Sequence, residues 1–219
     1  MIAGLERIGD MWCPAGDPYF GPCLTAWGGP IWDAPAMLAA FERVTAWDCA
    51  IDIGAHIGTW TRELAPRFGS VTAIEPDPRN FSALCENMRG APNVRMLPLA
   101  IAPVVGRFSL SHAGTINSGQ GYVTPFQPGE QVVTGVPLDA LALRPGLIKI
   151  DVEGLELEVI LSGERTIRDS RPIIVLEENG CAVRYEQKIG DARRLLESWG
   201  MREAARFEED VIMEWSTAS

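Results

Sequence analysis

Two short stretches of this chain bring together residue types that can do chemistry. The first runs Asp52-Ile53-Gly54-Ala55-His56-Ile57-Gly58, and Glu75 follows at the end of the next apolar run. Glycines at a strand-to-helix turn let backbone amides approach a ligand closely, and a helix start favours negative charge. An acidic residue ending the following strand can accept hydrogen bonds from both ribose hydroxyls. Taken together these residues read as a nucleoside-binding constellation, although the glycine pair alone is equally an ordinary turn. The second stretch is Lys149-Ile150-Asp151-Val152-Glu153-Gly154. Its charges alternate, so on an extended chain they face one side. Asp151 or Glu153 can take a proton from an acceptor or orient it, and Asp151 is favoured because it is nearer the strand end. Lys149 on an apolar strand is costly unless paired, which predicts an ion pair with Asp151 or Glu153. With a pKa lowered by burial it could itself be the base. His112 is either a further base or a solvated loop histidine.

The dinucleotide fingerprint is Gly-x-Gly-x-x-Gly. Here the turn reads Gly54-Ala55-His56-Ile57-Gly58, so the middle glycine is absent. Asp52 would also point at the ligand's polar end, where a carboxylate opposes a pyrophosphate but suits the ammonium of a methionine group. S-adenosylmethionine is therefore expected over a nicotinamide cofactor. A Tyr-x-x-x-Lys pair is lacking, since Tyr185 has Ile189 four residues on.

These residues need elements to place them. Strands are expected over 49–53, 71–74, 94–101, 147–150 and 173–176, with helices over 35–46, 57–68, 79–89, 155–167 and 191–199. Two closing strands are expected near 201–206 and 210–215. Strand and helix in alternation mean βαβ units, an α/β fold and a mainly parallel sheet covered on both faces. Ligands then bind at the carboxyl ends of the strands. Residues 1–34 read as irregular, and about 105–136 as a β-rich insertion. An arm and helix over 1–46, with Trp27 and Trp32, is expected to act as a lid on a domain spanning 47–219.

The segments Ala50–Thr61, Val71–Asn87 and Leu147–Leu161 resemble the FkbM family of S-adenosylmethionine-dependent methyltransferases. The resemblance runs on through Gly163 and Arg171-Pro172 to Glu177, and Lys149–Gly154 is its most specific part. It implies a Rossmann-like class I methyltransferase fold, a seven-stranded sheet with a reversed last strand, and methyl transfer to a hydroxyl of a sugar or natural-product-like molecule. By position, Asp52, Gly54, Ala55 and Gly58 would cradle the methionine part, with His56 beside them. Glu75 would hold the ribose, Pro76 and Asp77 would lie by the adenosine, and Leu99, Ala100 and Ile101 would border the adenine. His56 departs from the family, which commonly has Asn there.

Composition sets the outer limits. The 219 residues carry a net charge of −10. That charge disfavours a nucleic-acid partner. No apolar run approaches the ~20 residues of a membrane span. Glu6, Arg7 and Asp10 interrupt any secretion signal, so a cytoplasmic protein is expected. The five cysteines are odd in number and lack a Cys-x-x-Cys spacing, which predicts free thiols. No metal is assigned, although Asp151, Glu153, Glu177 and Glu178 offer hard oxygen ligands. The expected partner is a small-molecule or carbohydrate acceptor, with a homodimer as the one assembly considered. A nicotinamide-dependent oxidoreductase and a silent nucleotide-binding subunit remain the alternatives.

Overall fold

The computed structural model describes residues 3–18, 34–112 and 117–216. Trp27 and Trp32, on which the lid expectation leans, lie outside the described residues.

A central sheet has seven strands in the order β12-β13-β11-β10-β3-β4-β5. Its members are β3 (Cys49–Ile53), β4 (Ser70–Ile74), β5 (Val94–Leu97), β10 (Leu147–Ile150), β11 (Ile173–Glu177), β12 (Met201–Phe207) and β13 (Asp210–Trp215). Pairings from β11 through β5 are parallel, and β13 runs antiparallel to both its neighbours. The expected reversed strand is thus β13. From β3 the chain moves outward to β4 and β5, then returns to lay β10 on the other side of β3. That switch leaves a crevice at the carboxyl ends of β3 and β10.

Successive strand residues serve opposite faces. Ile51, Ile53, Ile148 and Ile150 join one buried cluster with helices α4 (Glu156–Ser162), α5 (Glu164–Ser170) and α6 (Asp191–Ser198). Ala50, Val71, Leu147 and Val175 join another with α1 (Ala34–Phe41) and α2 (Thr59–Leu64). Helix α3 (Pro78–Asn87) covers β4 and β5. No helix among the described residues is long and apolar enough to cross a membrane. The described cysteines, Cys13, Cys49, Cys85 and Cys181, are free.

Several boundaries differ from the sequence pattern. The strand expected over 94–101 breaks at Pro98, which has no N–H to give a ladder. Ala100–Ile101 (β6) instead joins a second sheet, ordered β6-β9-β7-β8, with β7 (Gly106–His112), β8 (Gly121–Pro125) and β9 (Gln131–Val136). Its strands β7, β8 and β9 fall within the stretch read as a β-rich insertion, about 105–136. Helix α2 stops at Leu64, just before Pro66. The helix expected over 155–167 is two helices meeting at Gly163. A Cβ there would sit 2.5 Å from Leu138 Cδ2, so glycine lets the 138–141 turn pack against the junction. The N-terminal stretch read as irregular contains a hairpin, β1 (Leu5–Ile8) and β2 (Met11–Pro14). Its Met11 and Cys13 pack on Ala83 of α3 and on Ile57. Asn87 bolts it down, accepting the Trp12 N–H at 2.6 Å and donating to the carbonyls of Trp12 and Ile57.

Candidate active site

A cavity of about 460 Å³ opens at the switch point, walled by the ends of β3, β4, β10 and β11 and roofed by residues 117–121. Of the residues expected at the cofactor, Asp52, Gly54, Ala55, His56, Glu75, Pro76, Asp77, Leu99, Ala100 and Ile101 line it. Gly58 does not; its left-handed backbone (φ +94°) and the nearness of Leu84 explain the glycine by packing.

Gly54 is fixed by a different neighbour than a ligand. A Cβ on it would lie 1.7 Å from the Asp151 carbonyl oxygen, and its φ is +80°. The missing side chain thus lets the ends of β3 and β10 touch. Just beyond, His56 holds a left-handed backbone (φ 52°). That turn aims its N–H at Glu75 Oε2, 2.8 Å away, while the Asp77 N–H reaches Glu75 Oε1 at 2.8 Å. Burial pushes the Glu75 carboxyl up to about 8 against the pull of those two N–H groups. Asp52 is buried and accepts the Thr61 hydroxyl at 2.6 Å. Burial raises it to about 6, with Thr61 and Lys149 opposing. Burial also lowers His56 to about 4, so its ring is neutral at pH 7.

Asp77 caps α3 through the Arg79 N–H (2.8 Å) and pairs with the Arg79 guanidinium (2.9 Å) and His112 Nε2 (2.9 Å). Burial alone would raise it, but these donors hold it below the usual carboxylate range. His112 therefore ends β7 in a contact with Asp77 and is absent from the cavity lining. Its expected place as a base at the acceptor is not what the structure brings together.

Lys149, Asp151 and Glu153 do line the cavity. Yet Lys149, 3% exposed, makes its close ion pair with Asp210 of β13 at 2.8 Å, and Asp151 is 3.9 Å away. The partner expected from neighbouring sequence is the weaker one. Glu153 is not on an extended chain: its φ is 57°. It reaches Asp151 through a turn rather than by strand alternation, held by Arg184 on its carbonyl (3.2 Å) and Cys181 Sγ on its Oε2 (3.1 Å). Glu156 braces that turn by accepting the Gly154 N–H at 3.1 Å.

Oxygens of Asp151, Glu153 and Glu177 lie within 4.8 Å of one another. Burial and the Asp151 charge push Glu177 well up, and burial also raises Glu153. Such a group relieves its repulsion by holding a proton or a hard cation. Glu177, expected from sequence as an oxygen ligand and as the end of the family resemblance, also accepts from Asn179 on its Oε2 at 2.6 Å. Asn80, Asn179 and Glu209 also line the cavity, and the sequence pattern did not single them out. The strand-end position was the signal for Asn179, two residues past Glu177.

The model of the methyltransferase FkbM domain matches residues 52–203. The hexuronic acid methyltransferase AglP of Haloferax volcanii is 27% identical over 133 residues, 58% of this chain and 55% of that protein. Ribosomal RNA small subunit methyltransferase A of Moorella thermoacetica is 35% identical over 100 residues, 46% of this chain and 33% of that one. The chain therefore spans a third to about half of the length of these curated relatives. Among solved structures, methyltransferase FkbM from Methylobacillus flagellatus superposes with a TM-score of 0.53 at 18% identity, covering 77% of this chain and 43% of that one. A methyltransferase from Geobacter sulfurreducens gives 0.52 at 12%, covering 93% and 91%. These two share the α/β fold. Because the domain model spans well over half of the sequence, the chain belongs to the FkbM methyltransferase family.

Proposed function

We propose that the protein is an S-adenosylmethionine-dependent O-methyltransferase of Rossmann-like class I architecture, acting on a hydroxyl of a small, sugar-like acceptor. One observation carries this: a single cavity joins Glu75, held by two backbone N–H groups, to the Asp151–Glu153–Glu177 group across the switch point. The donor set suits the cofactor. Each Glu75 oxygen accepts one N–H and keeps a lone pair for a ribose hydroxyl. Asp52 supplies a carboxylate for an ammonium, and Leu99, Ala100 and Ile101 give the adenine an apolar border. Bound there, the cofactor supplies a methyl carbon on a sulfonium, already a good electrophile.

The chain's own residues then have to align the acceptor and take its proton. Asp151 is the base in this reading. Glu177 keeps a proton beside it, Glu153 completes the wall, and Lys149 steadies the strand end through Asp210. The hexuronic acid named for AglP supports a sugar acceptor. The ribosomal RNA named for the Moorella relative suggests a second reading. Against that stand the net charge of −10 and a cavity whose described lining has Lys149 as its one lysine or arginine.

Calorimetric titration with S-adenosylhomocysteine tests the cofactor, with NADH as control. Micromolar binding of the first and none of the second is expected; tight NADH binding would overturn the reading. Mass spectrometry of hydroxylated sugars incubated with S-adenosylmethionine then tests the acceptor, one added methyl on oxygen being the expected product.

A further inference from the structure

The roof of the cavity is fastened at one buried residue. Ser118 is 2% exposed, and every polar group it carries meets a different segment. Its N–H donates to Asp17 Oδ2 at 2.8 Å, past the N-terminal hairpin. Its hydroxyl lies 2.8 Å from His56 Nε2 in the glycine turn. Its carbonyl accepts from Asn80 Nδ2 at 2.9 Å, on the first turn of α3.

Asn80 is the unusual member. It is 3% exposed and lines the cavity. The Ser118 carbonyl fixes which end of its amide is nitrogen. The other end, Oδ1, is buried with no hydrogen-bond partner among the described residues. Buried side-chain acceptors are nearly always satisfied, and an orphan calls for a partner. An amide oxygen can only accept, so the gap is for a donor; the nitrogen end of the same amide serves the Ser118 carbonyl and the Glu75 carboxyl.

We propose that Asn80 couples cofactor occupancy to the closing of residues 117–121 over the cavity. A hydroxyl or amine donor on the bound nucleoside completes Oδ1, which locks the amide in the orientation that holds the Ser118 carbonyl. The roof then tightens when the nucleoside is present and loosens when it leaves. This rests on the cofactor reading above and goes beyond it by giving the site a sensor.

Hydrogen exchange of the 117–121 amides, with and without saturating S-adenosylhomocysteine, tests the coupling alongside calorimetry on wild type and Asn80→Ala. The expected result is increased protection of 117–121 on binding in wild type. In Asn80→Ala, affinity for S-adenosylhomocysteine drops about tenfold and the ligand-linked protection is lost. A merely structural Asn80 would change protection in the unliganded protein and leave the ligand-linked increment intact. Wild-type affinity in Asn80→Ala, or an unchanged increment, overturns the proposal while the cofactor reading stands. Failure of wild type to bind S-adenosylhomocysteine overturns both. Should Asn80→Ala not fold, the wild-type exchange decides alone: no added protection at 117–121 refutes the coupling.

Discussion

The two ends of the cavity treat carboxylates in opposite ways. At the end proposed for the nucleoside each acid is answered by its own set of donors. Glu75 takes the N–H groups of His56 and Asp77, Asp77 takes Arg79, and Asp52 takes Thr61. At the end proposed for the acceptor, Asp151, Glu153 and Glu177 face one another, with Cys181 on Glu153 and Asn179 on Glu177. The first arrangement is settled before a ligand arrives, which suits binding. The second is left with excess negative charge, which suits a group that must take up a proton. In the proposed function this contrast separates recognition from chemistry within one cleft.

The sharpest way to break that contrast is Asp151→Ala. It should lower kcat about 10²- to 10⁴-fold in single-turnover methyl transfer. Calorimetry with S-adenosylhomocysteine should meanwhile read nearly the wild-type affinity. Equal losses at both would mean the ends are not distinct. Asp210→Ala should come next, because it removes the nearest carboxylate from the buried Lys149 ammonium and leaves Asp151 at 3.9 Å. Urea unfolding should report a loss of about 3–5 kcal/mol. Glu75→Ala removes the acceptor of two backbone donors and should weaken S-adenosylhomocysteine about 10- to 100-fold with a smaller change in single-turnover rate.

The nucleoside end also predicts a pH dependence. Glu75 rises from 4.5 to about 8 on folding, and Asp52 from 3.8 to about 6. A carboxyl whose folded pKa is raised binds its proton more tightly in the native state, so stability falls as pH rises through the interval. Relative to Glu75→Gln, the wild-type melting temperature should therefore decline between about pH 4.5 and 8, the difference isolating Glu75 from His56, whose lowered pKa acts with the opposite sign. A slope unchanged by Glu75→Gln would show the carboxylate is not the titrating group. The smallest effect is expected of His112→Asn, where kcat should stay within about twofold of wild type. A loss approaching that of Asp151→Ala would return His112 to the catalytic set.

The same contrast decides what could be read from the sequence. The glycine turn, Glu75 and the Lys149–Gly154 stretch are local, and a strand's end announces them. Lys149 and Asp210 stand 61 residues apart, Cys181 and Glu153 28, and Ser118 and Asp17 101. No periodicity links such pairs; only the closing antiparallel strand and the folded roof bring them together. The insertion showed its β character through alternating residues. Its register stayed hidden because short polar strands with glycines specify pairing weakly. The break at Pro98 was legible in principle, since a missing N–H bars a continuous ladder, but the apolar residues around it masked the stop.

The contact between Gly54 and Asp151 carries one more consequence. With the ends of β3 and β10 in touch, the separation between the two halves of the cleft is a constant of the backbone. Adapting to a new acceptor cannot be achieved by spreading that gap. In the proposed function it falls to the peripheral pieces, Leu110 and Val123 of the second sheet and residues 179–181, which also line the cavity. The fold is in this sense modular: its inner seam is closed to variation, and diversification is channelled to parts that can change while the seam stays as it is.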